Sequence, residues 1–239
     1  MKQYEAVIQT LEKLGGQATL AELYVEVMKI KECKWNTKTP FASIRRIVQT
    51  RPEVFRVRPG LWALQSQKSE LDITEERDTT PQAIDQSHSY YQGLLAIIGN
   101  LRGFLTFIPN QDKNKLFIQK SLAGIRTLHE IPNFSYGVFV KRCETVDVVW
   151  FNARRMPNSM FEVEHSTDFQ NSLIKFYEFQ DFYTRMVIVA HGNRRGEFEQ
   201  KVQRSAFDEI RGRINFLDYD TLVKQYEYEV LKSSKSFAA

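Results

Sequence analysis

Apolar residues at Tyr4, Val7, Ile8, Leu11 and Leu14 recur at the spacing of one helix face, and Gly15-Gly16 ends the run. Thr19 stands as an N-cap before a second helix whose inward face is Leu20, Leu23, Tyr24, Val27 and Met28. Thr39-Pro40 opens a third, with Phe41, Ile44, Ile47 and Val48 inward. From Val54 to Leu64 the period changes to two. Phe55, Val57, Trp62 and Leu64 form the apolar side of two strands about a Pro59-Gly60 turn, with arginines opposite. Helix, helix, helix, hairpin predicts a winged-helix arrangement for residues 1–65.

From Ser66 to Gln86 few apolar residues are available to pack, and Ser, Thr, Gln and Pro81 dominate, which predicts a linker over 66–86 open to proteases. Regular patterning resumes with a helix from Ser89 to Gly103, a buried strand over Phe104–Pro109 and a helix over Phe117–Leu128. Two short strands follow, Val146–Phe151 and Phe161–His165, joined by a Pro-containing turn. A helix from Asp168 to Tyr183, the apolar strand Met186–Ala190, a basic helix from Arg195 to Ile210, the strand Ile214–Leu217 and a helix over Thr221–Leu231 complete the pattern. This alternation predicts an α/β domain with a mixed central sheet over residues 87–232, beside the small N-terminal winged-helix domain.

Composition adds a folded chain of 239 residues, 42% hydrophobic and 13% aromatic, enough for real cores. No apolar run approaches a membrane span and the first residues lack a signal-peptide pattern, so the expected setting is the cytoplasm without membrane association. Cys33 and Cys143 have no partners at metal-ligand spacing and read as buried fillers. Residues 1–65 hold 11 basic against 6 acidic residues, residues 66–86 hold 2 against 6, and the remainder is mildly basic. Two basic blocks flanking an acidic connector permit a polyanion partner without requiring one.

The candidate chemistry lies in the paired strands from Val146 to His165. Asp147 sits between Val146 and Val148, and Glu162 and Glu164 flank Val163. Alternation along a strand puts both glutamates on one side and Phe161, Val163 and His165 on the other. If the hairpin brings Asp147 to that side, three carboxylates converge, an arrangement that calls for a divalent cation or a catalytic task. The competing reading exposes both glutamates to solvent and pairs Asp147 with an arginine such as Arg154; the apolar neighbours Val146, Val148, Val149 and Trp150 argue against it.

Two resemblances extend these readings. The Gly15-Gly16 turn, Thr37-Lys38-Thr39-Pro40 with Ser43 and Ile44, and Phe55, Pro59-Gly60, Trp62 and Leu64 resemble the HARE-HTH winged-helix family of restriction enzymes and chromatin proteins. That implies double-stranded DNA as partner, with Lys38, Thr39, Ser43, Arg45, Arg46, Arg56 and Arg58 as the available contacts. A solvated charged face on a protein-docking module is the alternative. The order helix, strand, Asp-bearing strand, E-x-E-bearing strand, helix, strand, with Phe161-Glu162-Val163-Glu164-His165-Ser166 and Val202-Gln203-Arg204, resembles the PD-(D/E)XK, restriction endonuclease-like superfamily.

The second resemblance implies a metal-dependent deoxyribonuclease of the type II restriction class, working as a homodimer. Asp147, Glu162 and Glu164 are its catalytic positions, and Asp147, Glu162 and the Val163 carbonyl bind Mg²⁺, with Mn²⁺ able to substitute. The family usually has Lys where Glu164 stands; Lys175 on the following helix can replace its ammonium if it reaches inward. The Ser89–Gly103 helix lacks the further glutamate found in many relatives. A DNA-binding regulator with a degenerate nuclease fold is the rival function. His165 reads as a core or supporting residue, and His88, His129 and His191 have no spacing that builds a metal site.

Overall fold

A computed structural model describes residues 1–68, 81–165 and 168–236. Two compact units emerge, one of residues 1–83 with 226–239 and the other of residues 84–225. The linker expected at 66–86 falls mostly on residues 69–80, outside the described residues; its far end, from Pro81, is helical.

In the first unit α1 (Gln3–Lys13), α2 (Leu20–Val27) and α3 (Pro40–Thr50) pack around Val7, Leu11, Leu23, Tyr24, Ile44 and Val48. Gly15 and Gly16 both take positive φ, which lets the chain reverse after α1, and Gly16 N–H donates to the Leu11 carbonyl over 2.7 Å. Thr19 caps α2 reciprocally: its hydroxyl accepts from Glu22 N–H and the Glu22 carboxylate accepts from Thr19 N–H. A strand that the sequence pattern does not predict, β1 (Gln17–Thr19), pairs with β3 (Leu61–Leu64), giving an antiparallel sheet in the order β1-β3-β2 with β2 (Val54–Arg58).

The inward face of β2 also differs from simple alternation. Val54 and Val57 are buried and Phe55 is half-exposed, because the pairing shifts between Arg56 and Arg58 and the irregularity resets the phase.

The second unit is mixed α/β. Its five-stranded sheet has the order β10-β9-β8-β7-β4, formed by β4 (Leu105–Phe107), β7 (Val148–Phe151), β8 (Pro157–Glu164), β9 (Arg185–Ala190) and β10 (Ile214–Asp218). β4, β7 and β8 run antiparallel in sequence; β8, β9 and β10 are parallel. A helix crosses over between each parallel pair, α6 (Gln170–Tyr177) before β9 and α7 (Arg195–Val202) before β10. One sheet face carries Val149, Phe151, Met160, Met186, Ile188 and Ala190 into a core with Leu173 and Phe176 of α6. On the other face the Trp150 indole N–H donates to the Leu95 carbonyl of α4 (Pro81–Leu101).

Three expected helices are corrected. Residues 117–128 form a small hairpin, β5 (Leu116–Phe117) with β6 (Lys120–Ser121), and a 3₁₀ turn, because Ile118 lies at φ 56° and breaks any helical run. The basic helix of 195–210 is divided into α7 and α8 (Asp208–Arg211) around a turn at Ser205–Phe207. The helix expected over 168–183 ends at Tyr177. A further short helix, α5 (Gly137–Cys143), precedes β7.

The last helix, α9 (Tyr219–Ser236), is capped by Asp218, whose carboxylate accepts from the Thr221 N–H and hydroxyl over 2.8 and 2.9 Å. Burial alone would raise the Asp218 carboxyl, but these bonds and Arg195 hold it below its ordinary range. A depressed folded-state value adds stability that is present above the unfolded value and lost as pH falls through the folded one. Asp218→Ala should therefore cost about 1 kcal/mol near neutral pH. The cost should shrink at acid pH, and urea unfolding of both proteins at the two pH values checks it.

Candidate active site

Strand pairing aligns Val148 with Phe161, so the next pair outward sets Asp147 opposite Glu162 on the face that carries Val149 and Met160. Glu162 and Glu164 share that face and both are buried, which excludes the solvent-facing reading of β8. Asp147 just precedes β7. One of its oxygens accepts the Val163 backbone N–H over 2.7 Å, and the other lies 3.5 Å from His88 Nε2 on α4. The structure thus pairs Asp147 with a histidine and not with Arg154, which is exposed in the β7–β8 turn.

From α6 the Lys175 ammonium reaches both Glu162 oxygens, at 2.8 and 2.7 Å, and also donates to the Thr145 carbonyl at 2.9 Å. The inward reach of Lys175 is thereby met. Ser172, one turn earlier on the same helix face, donates to Glu164, with Glu162 3.3 Å away. Asp147 and Glu162 are brought side by side, while Glu164 is held one step along the strand by Ser172. His165 turns away, its Nδ1 3.0 Å from the Tyr219 hydroxyl.

The electrostatics separate the two neighbouring acids. Burial, and next the charge on Asp147, push the Glu162 carboxyl well above the usual glutamate range, and Lys175 only partly opposes them. Burial would raise Asp147 too, but His88, Lys175 and the Val163 N–H together hold it below its ordinary range. Burial pulls His88 down, yet the hydrogen bond and charge of Asp147, with Asp112 behind, hold the imidazole above its usual value. A buried acid that resists ionisation beside an ionised one is short of positive charge. The side-by-side carboxylates of Asp147 and Glu162, both oxygen donors, therefore fit a hard divalent cation.

Two residues of this centre escape sequence reasoning. His88 and Asp112 lie 59 and 35 positions before Asp147, and no local spacing links them. Gln92, one turn after His88 on α4, is fully buried and donates to Asp112 over 2.9 Å and to the Asp147 carbonyl over 3.2 Å.

In the first unit the seven expected DNA contacts are placed as follows. Lys38, Thr39, Arg45, Arg46 and Arg56 are exposed, and Ser43 and Arg58 are half-buried. Arg45 is engaged, donating to the Tyr24 hydroxyl and to Glu227.

Fold and site together define a mixed α/β protein with a buried acid–lysine centre beside the carboxyl end of its central strand. A family model described as the type II restriction enzyme NmeDI C-terminal domain matches residues 70–237, and the chain belongs to that family. The type II restriction enzyme NmeDI of Neisseria meningitidis serogroup C is 30% identical over 138 residues, covering 54% of this chain and 37% of that protein. The chain thus spans well under half of that relative's length. No solved structure matches. Among the described residues no helix is long and apolar enough to cross a membrane.

Proposed function

We propose that the chain is a Mg²⁺-dependent endonuclease of the PD-(D/E)XK kind that cuts double-stranded DNA in a restriction or defence setting. The observation that carries this reading is the Asp147–Glu162 pair with the Lys175 ammonium on both oxygens of Glu162. Asp147, Glu162 and the Val163 carbonyl would hold Mg²⁺, or Mn²⁺ in its place. When bound, such an ion polarises the phosphoryl oxygen and makes a water easier to deprotonate. Lys175 supplies the positive charge that the family's usual lysine would bring, orienting the attacking water and offsetting charge that builds on the phosphate. Glu164 would accept the proton of that water. Incubation of the protein with duplex DNA and Mg²⁺ or Mn²⁺ tests the reading, with nicked or cut product expected and EDTA abolishing it.

The rival regulator reading draws on Glu164 standing where lysine is usual. Tight DNA binding without nicking under any divalent ion would establish it. Cutting both strands needs two centres, so the working form is proposed to be a homodimer.

The first unit is proposed to be a HARE-HTH winged helix that reads the DNA site or its modification, with α3 toward the bases and β2 toward phosphates. Phosphate contacts give affinity and salt dependence but little sequence information. Replacing Arg56 and Arg58 by alanine should weaken binding to all DNA alike and reduce the salt slope by about 1 for each phosphate no longer neutralised. Changing Lys38, Thr39 or Ser43 should instead alter which sequences are preferred. Selection from a randomised duplex library at fixed salt checks both, and unchanged preference in all variants would make this unit a protein-docking module.

A further inference from the structure

A buried cation without a counter-charge sits at the same end of the sheet as the acid pair. Arg126 is 7% exposed, yet it forms no ion pair with a carboxylate among the described residues. Burial pulls its guanidinium below the ordinary range, and nothing offsets that pull. Nη1 donates to the Ile108 carbonyl over 2.5 Å and Nη2 to Asn110 Oδ1 over 2.8 Å, while the buried Nε–H has no acceptor. Arginines taken out of water are ordinarily paired, so an unmatched donor on a buried cation points to an anion that joins it.

The edge of the sheet sets where that anion would lie. Thr127 and Leu128 N–H both donate to the Thr106 carbonyl, fixing the Arg126 segment along the free side of β4. Phe107 pairs with Val149, so two residues on along β4 and two back along β7 stand Pro109 and Asp147. Arg126 grips the residues on either side of Pro109, about 10 Å, or two strand spacings, from the first acid.

Residues 108–126 also hold Lys113, Lys115 and Lys120 against one acid, Asp112. Lys115 is spent on Asp112 and Asp85, at 2.7 and 2.5 Å. Lys113 and Lys120 are exposed and carry no ion pair among the described residues. The Ala123 N–H bond to the Lys113 carbonyl, at 2.8 Å, ties the Lys113 and Arg126 stretches together.

We infer that Arg126, with Lys113 and Lys120 of the same segment, binds the backbone of duplex DNA next to the phosphate that is cut. The inference rests on the nuclease reading for the identity of the polyanion. Nε and Nη2 share one edge of the guanidinium, a two-pronged edge that matches two phosphate oxygens. Asn110 is exposed, so its amide can turn from Nη2 and leave that edge to the phosphate while the Ile108 carbonyl keeps Nη1 in place. Positive charge beside the acid pair draws DNA in where the carboxylates themselves repel it.

The experiment measures binding of the full chain to a labelled duplex of arbitrary sequence over a series of KCl concentrations without divalent ions, with thermal unfolding as a check on each variant's fold. Arg126→Gln is expected to lower affinity at least about tenfold at low salt. It should also flatten the slope of log K against log salt by about 0.9, the loss of one neutralised phosphate. Arg126→Lys should keep the slope and lose only the affinity that the fork supplies. Lys113→Ala with Lys120→Ala should flatten the slope by about 1.8. A guanidinium that merely braces the loop would leave every slope as it was, and an unchanged slope in a folded Arg126→Gln protein overturns the inference. Should that variant not fold, an unchanged slope in the double lysine variant overturns it equally. Slopes that fall as stated in a protein that nicks no DNA keep the surface and remove the nuclease reading. Cleavage with unchanged slopes does the reverse, and a chain that binds no duplex at any salt overturns both.

Discussion

Glu162→Gln is expected to reduce Mg²⁺-supported DNA cleavage by at least about a thousandfold while leaving DNA binding intact or tighter. The amide keeps the shape of a side chain that is 3% exposed and the contacts with Lys175 and Ser172 that a carbonyl oxygen can accept. It removes the negative charge that a cation would need and that repels phosphate. Asp147→Asn should behave likewise, because an amide oxygen can still accept the Val163 N–H. Asp147→Ala removes that acceptor as well, and should lose stability in addition to activity. Single-turnover cleavage assays with parallel binding measurements check the set, and full activity in Glu162→Gln would sink the assignment of the centre.

Lys175→Met is the second large effect. Its ammonium is the closest cation on the Glu162 carboxylate, and the two side chains are 18% and 4% exposed. Removing one partner of a buried ion pair typically costs about 3–5 kcal/mol, because the other is left charged without compensation. Glu162 can escape part of that cost by taking up a proton, and burial already pushes it in that direction. Cleavage should fall by about 10²–10⁴-fold, the usual range for a group that acts on the reacting water. In the double variant Lys175→Met with Glu162→Gln the stability loss should be smaller than in Lys175→Met alone, since no buried charge is stranded. Denaturant unfolding of the four proteins gives the coupling directly. Near-wild-type cleavage by Lys175→Met would leave Lys175 a structural counter-ion and return weight to the regulator reading.

Much of this layout was legible wherever local rules agree. Thr19 with Glu22, Pro40 at the start of α3 and the Gly15-Gly16 pair mark boundaries through chemistry that acts within four residues. The same holds for β7, β8 and β9, whose apolar runs have only one burial that satisfies them, and for Glu162 and Glu164, set on one face by alternation. Lys175 was legible only conditionally, since a helical position says which face it shares and not how far that face lies from a strand. What failed depends on non-local or exceptional geometry. The phase of β2 turns on an irregularity that no residue type announces, and the hairpin at 116–121 requires Ile118 in a backbone region that β-branched residues avoid. His88 and Asp112 meet Asp147 only through packing of α4 and of the segment after β4, so no spacing rule could reach them.

The hydrogen bond from Val163 N–H to Asp147 makes the first acid a gauge of strand register. Because facing alternates with every residue, a slip of one position in the β7–β8 pairing would send Phe161 and Val163 to the α6 side. Glu162 and Glu164 would then face the packed side toward α4, away from Lys175 and Ser172. Length changes in the turn between Phe151 and Pro157 are thus of two kinds. Those that leave Val148 opposite Phe161 alter only a surface loop, whereas an insertion that shifts the pairing by one would leave a chain of almost identical composition with its chemistry inside out.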